Sequence, residues 1–494
     1  MASVAGNIET VPRAWPTWVG DALVLLAIVA TALGARLPWF GFPIAGYDEQ
    51  LYSLIGQAMT EGALPFVDVW DRKPIGLFAL FAASHAIGGP EPEAYQSLAL
   101  LFTVAGAWLT AALARPLVDR VTAAGAGMLY VLLMSLYGSA SGQSEAFHVP
   151  LMLAMAVLVR DPAHLNAIRR ALMAMLIGGL ALQVKYTVAP QCAMFGLWVL
   201  WGQHKQGASL PRLAAFAAAF LALGLLPTGM VALYYAVAGH WDAFLFANFL
   251  SFFDRVPSGA GRLHSDLVLG LVPLAVLAGG GIYAAFRMTP PRDRSHYAFI
   301  ALWFVACLAT AFLPGTVYRY YFAALVPASA LLGLPLLART GPARWGPLAL
   351  VLAGAFALVA PLSLFGELRE RSAEYDRFAA TIAQSSTDSD ACIFVFDGPR
   401  SLYRLAGSCL PSRFVYPDHL NNALERDALG VSQEGEVARI LAIRPPVIVT
   451  ADTPLTPQNE QAKALVLEHI ARDYRELADI EIGDRTIRAW ERSH

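Results

Sequence analysis

Charge is scarce in this sequence. Lysine, arginine, aspartate and glutamate make up 15% of 494 residues, where a soluble domain carries about a quarter. Hydrophobic residues reach 57%. Long apolar runs with so few charges exclude a soluble globular chain and leave an integral membrane protein. Cysteine is almost missing: four residues cannot build a disulfide framework. Cys192 and Cys307 lie in apolar runs, where a thiol packs as a small hydrophobe. Cys392 and Cys409 lie in the polar C-terminal part, and whether they pair depends on that part facing an oxidising compartment. No G-x-G-x-x-G, G-x-x-x-x-G-K-[ST] or H-E-x-x-H occurs, which removes support for nucleotide and zincin readings. The formal net charge of -2 and the lack of a basic tail give no reason to expect nucleic acid. No internal repeat stands out. The opening "MASVAGNIETVPRAWPTW" is too long and polar before the first apolar run to be a cleavable signal peptide.

What is present is a series of apolar runs. A span needs about 20 apolar residues, with about 17 as a lower limit. Candidate spans are 21–40, 94–114, 121–138, 142–159, 171–184, 187–203, 213–238, 266–286, 296–314, 320–338 and 345–365, eleven in all. The run 171–203 is broken by "KYTVAP" and reads as a tight helical hairpin. Residues 74–88 are too few to span and are expected at the interface or re-entering. Arg115, Arg120, Arg160, Arg169, Arg170, Lys205, Arg212, Arg287, Arg292, Arg294, Arg339 and Arg344 fall in loops of one side. The positive-inside rule places that side in the cytoplasm. The first loop (41–93), the loop 239–265 and, by parity, the C-terminus then face outward. After Phe365 the composition changes. "ACIFVFDGPRSLYRLAG" reads as strand, turn and short helix, "PPVIVTAD" as a buried strand, "QAKALVLEHIARDYREL" as an amphipathic helix and "RTIRAWER" as an edge strand. The expected architecture is an all-α polytopic membrane domain (1–365), with interfacial helices in its first outer loop, followed by a small α/β domain (366–494).

Ionisable groups at membrane depth are rare, and function is the first hypothesis for them. Asp48 and Glu49 open "DEQLYSLIGQAM", where Leu51, Ile55, Ala58 and Met59 recur at helical spacing. That pattern suggests an amphipathic helix on the outer surface with Asp48 and Tyr52 one turn apart. An N-cap and an active-site carboxylate are both open roles for Asp48. In "DVWDRKPIGLF", Pro74 suits a first helical turn, so Arg72 and Lys73 stand before a helix N-terminus. Cations there oppose the helix dipole unless an anion such as phosphate joins them; headgroup snorkelling is the plainer alternative. Glu145 sits at the mouth of the third and fourth spans, with His148 nearby. Lys185, Arg319, Tyr320 and Tyr321 gather at the same face; Arg255, Arg262 and His264 in the loop 239–265 are further, unranked candidates. Carboxylates can deprotonate an acceptor hydroxyl or hold a hard cation. Cations stabilise a departing phosphate.

On these residues the chain resembles the membrane glycosyltransferases of the C superfamily, in particular bacterial relatives of dolichyl-phosphate-mannose protein mannosyltransferases and of the lipid A aminoarabinose transferase. The shared pattern is Asp48-Glu49 after the first span, Lys73-Pro74 behind "ALPFVDVWDRKP", Glu145, "GLALQVKYT" ending near Lys185, and Tyr320-Tyr321…Pro327. The chain departs from the pattern at Arg72, where some relatives carry glutamate, and at Tyr320, where histidine is usual. The resemblance implies a polyprenyl-phosphate-linked sugar donor, a glycan, lipid or protein acceptor, and work at the outer face of a bacterial inner membrane. It implies Asp48 as general base or metal ligand, with Glu49 and Glu145 beside it. Lys73, Arg72, Lys185, Arg319 and Tyr321 would serve the donor phosphate; Tyr52 and Tyr320 would contact substrate. A divalent cation (Mg or Mn) is an open expectation, since Arg72 replaces an acid. A flippase of lipid-linked glycans and a non-catalytic assembly subunit are the alternatives. A transporter is expected to show inverted repeats and mid-membrane acids, and neither is evident.

Overall fold

The computed structural model describes residues 17–256, 260–314, 317–337, 354, 365–387 and 389–493. Among them six helices are long and apolar enough to cross a membrane: Trp18–Trp39, Pro92–Ala114, Arg120–Ser139, Leu210–Val237, Ser265–Arg287 and Arg294–Phe312. Ser144–Val159, Ala167–Leu182 and Ala189–Lys205 are shorter apolar helices of 16, 16 and 17 residues. The last two are joined through a short 3-10 turn, Tyr186–Val188, as the hairpin reading of 171–203 expects. In Leu210–Val237, 28 residues long, only Phe220 and Tyr235 are buried. An apolar helix with no protein neighbour over most of its surface needs lipid around it.

One expected span is interrupted and another lies largely outside the described residues. The stretch 320–338 is not one continuous α-helix but three short helical pieces, Arg319–Leu325, Val326–Leu332 and Leu334–Leu337. Gly333 and Pro335 break it, since proline removes an amide donor and clashes with the preceding turn. The proposed span 345–365 lies outside the described residues apart from Gly354 and Phe365.

The first loop contains two helices, Tyr47–Thr60 and Ile75–Gly88, pressed together at Gly56. A Cβ on Gly56 would lie 2.8 Å from the Ala82 backbone nitrogen, so no larger residue fits that contact. Between them Phe66 adopts a left-handed φ of 70°. Its ring packs against Tyr235, 5.4 Å away, and the Tyr235 hydroxyl donates to the Pro65 carbonyl at 2.8 Å. These contacts hold a backbone conformation that ordinarily disfavours a bulky residue.

The C-terminal part has one four-stranded sheet: β1 (Phe394–Val395), β2 (Val447–Ala451), β3 (Tyr474–Ile482) and β4 (Arg485–Arg492), in the order β1-β2-β4-β3. β1 and β2 are parallel; β2–β4 and β4–β3 are antiparallel. The helix expected over "QAKALVLEHIARDYREL" ends at Asp473, where the chain enters β3. That strand takes the sheet edge, so "RTIRAWER" lies inside the sheet rather than at its edge, and its alternate residues are buried. Cys392 and Cys409 are disulfide-bonded, with their Cα atoms 5.0 Å apart.

The core of this domain is continuous with the first loop. One apolar cluster runs from Leu51, Phe66 and Phe78 through Trp70 to Phe414, Ile448 and Val466. Trp70 is 2% exposed and lies 5.5 Å from Phe414 and 4.8 Å from His419, ring to ring. Removing a tryptophan of this kind from water contributes roughly 4–6 kcal/mol at most. The C-terminal domain is therefore packed onto the segment that carries Asp48 and Lys73.

Candidate active site

Asp48 is the centre of the site. The N-cap of Tyr47–Thr60 is Gly46, not Asp48, and Glu49 reaches back to the Gly46 amide at 3.1 Å. The capping role left open for Asp48 therefore falls to its neighbour, and the Asp48 carboxylate is free to face outward from the helix. Its Oδ2 accepts from Tyr320 at 3.2 Å, from Gln143 Nε2 at 3.1 Å and from Tyr52 at 3.5 Å. Its Oδ1 accepts from the Tyr416 hydroxyl at 3.1 Å. Tyr52 and Tyr320 are thus brought to Asp48 as hydrogen-bond donors.

Glu49, expected beside Asp48 in the site, is turned away from this cluster. It is 1% exposed and accepts from Ser141 Oγ at 2.9 Å, from Tyr95 at 3.4 Å and from the Gly142 amide. Burial pushes its carboxyl up to about 7 against these donors. The side chain ties the start of Tyr47–Thr60 to the turn at 139–142, while Arg36 donates to the Ser139 and Ser141 carbonyls from the other side.

On either flank of Asp48 stands a lysine. Lys73 Nζ lies 5.9 Å from the centre of the Tyr52 ring, and its amide donates to Asp71 Oδ1 at 2.8 Å. Among the described residues no carboxylate lies at ion-pair distance from the Lys73 ammonium. Lys185 pairs with Glu145, which is fully buried, and lies 4.2 Å from the Tyr321 ring and 5.9 Å from Tyr320. Ser144 Oγ donates to the second Glu145 oxygen at 2.9 Å. Glu145 is therefore committed to Lys185. Lys73 lies against Tyr52 and Lys185 against Tyr320, and both tyrosine hydroxyls reach Asp48, so the three flank one site.

Two residues proposed for the donor phosphate sit elsewhere. Arg319 is exposed and donates to the Leu136 carbonyl at 3.4 Å; in a 3-10 turn with Tyr321 buried inward, its neighbour two places earlier points out. Arg72 forms a two-pronged pair with Glu425, at 3.1 and 2.5 Å, and Arg255 reaches the same carboxylate at 2.7 Å. Burial alone would raise the Glu425 carboxyl, but the two guanidinium groups hold it below the ordinary range. Asp71, the third charged residue of the "DRK" triplet, faces His419 Nε2 at 3.7 Å. The C-terminal domain thus takes up Asp71 and Arg72 and leaves Lys73.

Sequence reasoning missed Gln143, Tyr416, Arg400, His419 and Glu425, and left Arg255 unranked. All but Gln143 and Arg255 belong to the C-terminal domain, and no local periodicity signals a partner hundreds of residues away. Arg262 and His264 lie outside the residues whose side chains are described. No cluster of three or more His, Cys, Asp or Glu occurs among the described residues. The groups around Asp48 are amide and hydroxyl donors and ammonium ions, which do not fit a divalent cation needing several oxygen ligands.

The model of the dolichyl-phosphate-mannose-protein mannosyltransferase family matches residues 72–231. No curated protein sequence matches the chain. Among solved structures, ArnT from Cupriavidus metallidurans in the apo state has a TM-score of 0.63 and 16% identity, covering 95% of this chain and 98% of that one. The same protein bound to undecaprenyl phosphate gives 0.59 and 16%, covering 96% and 98%. The apo oligosaccharyltransferase of Archaeoglobus fulgidus gives 0.51 and 12%, covering 88% and 70%. The chain is therefore a multi-pass membrane protein with a fold like that of ArnT. Over residues 72–231 the likeness narrows to the protein mannosyltransferase family.

Proposed function

We propose that the protein transfers a sugar from a polyprenyl-phosphate donor to an acceptor hydroxyl or amine. The observation that carries the proposal is the pairing of a carboxylate ringed by donors, Asp48, with an ammonium that has no carboxylate partner, Lys73. Asp48 takes the acceptor proton as the acceptor atom bonds to the sugar's anomeric carbon. The bond from that carbon to the phosphate oxygen breaks, and polyprenyl phosphate leaves with the bonding pair. Lys73, with Lys185 behind Tyr321, offsets the charge that grows on the phosphate. No step is routed through a metal ion. The likeness to a structure holding undecaprenyl phosphate supports the donor class. The arginine-rich loops support a cytoplasmic placement for the opposite end of the bundle, and so favour a site and C-terminal domain on the periplasmic face of a bacterial inner membrane.

The test is transfer by Asp48→Asn protein in nanodiscs. The donor is the polyprenyl-phosphate-sugar fraction extracted from source membranes, and products are followed by mass spectrometry. The variant is expected to insert normally and lose at least about 100-fold in rate; full activity overturns the proposal.

A further inference from the structure

The two oxygens of Asp48 are not equivalent. Oδ2 accepts from Gln143 Nε2 and Tyr320, which fill its lone pairs, while the Tyr52 hydroxyl, 3.5 Å from Oδ2, lies nearer Gln143 Oε1 at 3.4 Å. Oδ1 receives one, the Tyr416 hydroxyl, among the described residues. A carboxylate oxygen has room for about two donors, so Oδ1 retains one lone pair. The Oδ2 donors come from the membrane domain, and the single Oδ1 donor comes from the C-terminal domain, 368 residues along the chain.

Tyr416 is itself held with care. It precedes the short helix Pro417–Asn421, whose proline fixes the backbone entry. Its ring meets Tyr47 edge-on at 5.8 Å and His419 at 5.1 Å. In the corner formed by the Tyr47 and Tyr416 rings lies the Arg400 guanidinium, 3.4 Å from one centroid and 4.2 Å from the other. Arg400 is fully buried and donates to the Tyr47 carbonyl at 2.6 Å, while Nε and Nη2 have no partner among the described residues. A buried arginine without a carboxylate is a poor stabilising element. Lying against both phenol rings, it instead joins the residue preceding Asp48 to the residue that donates to Asp48.

We propose that Tyr416 is a positioning residue, clamped by Arg400, that stops the Asp48 carboxylate from rotating and presents Oδ1 to the acceptor. The proposal rests on Asp48 being the base. It makes the C-terminal domain part of the active site, which is incomplete without it. Loss of the hydroxyl leaves a carboxylate anchored on one side only, and an error of about 1 Å in placing a base lowers turnover by as much as 100-fold.

The experiment compares wild-type, Tyr416→Phe, and a variant carrying 4-aminophenylalanine at position 416, whose amine restores a donor. Each is full-length in nanodiscs, assayed with the extracted donor fraction for kcat and donor KM. The expected result for Tyr416→Phe is a 10- to 100-fold fall in kcat, a donor KM within about twofold, and recovery of most of the rate by the amine. In an Asp48→Glu background the Tyr416→Phe change is expected to add little, as for two residues acting as a unit. Unchanged kcat in Tyr416→Phe alongside a dead Asp48→Asn overturns the positioning role and leaves Asp48 as base. Failure of the amine to restore turnover also overturns it, by assigning the loss to packing. An active Asp48→Asn instead removes the base assignment on which it rests.

Discussion

Replacing Glu425 by glutamine tests how the C-terminal domain is held over the site. Glu425 is 3% exposed and is shared by Arg72 and Arg255, from two different loops of the membrane domain. Glutamine keeps the shape and one acceptor oxygen but removes the charge facing two partly buried guanidinium groups. Breaking a buried pair from one side costs about 3–5 kcal/mol, because the remaining charge stays desolvated. The retained oxygen argues for the lower end, about 3 kcal/mol. Because the folded state holds this carboxyl below its ordinary range, its contribution is present above the unfolded value and is lost as pH falls through the folded one. The assay is thermal unfolding at pH 7 followed by tryptophan fluorescence, since Trp70 packs against Phe414 and His419 in that interface. A fall in midpoint of about 5 °C or more is expected, with faster proteolysis of the C-terminal domain. Replacing Arg72, Arg255 and Glu425 together by methionine should regain most of the loss, as for other buried ionic clusters. A Glu425→Gln midpoint within about 1 °C of wild type refutes the latch.

The neighbouring cations separate in the same framework. Lys73→Ala is expected to weaken binding of undecaprenyl phosphate about 10- to 100-fold, the worth of a charge-assisted contact, with little change in stability. Arg72→Gln should lower the unfolding midpoint and change that affinity less than about threefold, both measured by titration in nanodiscs. Asp418 is pushed up to about 7, chiefly by burial and further by Glu425, Asp397 and Asp48, against the Arg400 charge. A raised folded value means stability falls as pH climbs from the ordinary carboxylate range to about 7 and is level above it. Asp418→Asn should therefore unfold at a higher temperature than wild type at pH 8, by about 1–2 kcal/mol, and match it at pH 4. An equal shift at both values overturns the assignment.

What the sequence made legible follows the range of the interactions concerned. Asp48 and Tyr52 could be paired because four residues make one helical turn. Lys73 stood out because a cation before a helix needs an anion. Glu145 and Lys185 were each visible as charges among apolar residues, yet their pairing crosses 40 residues and had no local signal. Arg72 was assigned to phosphate on the same dipole argument as Lys73. That argument fixes the field at a position without saying which charge satisfies it, and Glu425, 353 residues later, does so for Arg72. The break near residue 473 was misread because "DYREL" continues a helical period for one more turn before the alternation of β3 begins. The pair Asp48-Glu49 shows the same limit at closest range. Neighbours on a helix project about 100° apart, so two adjacent acids cannot both face one substrate. Once Gly46 begins the helix, the third position turns Glu49 back onto the cap amide and the second leaves Asp48 facing the tyrosines. Which of the two adjacent acids faces the tyrosine cluster follows from where the helix starts.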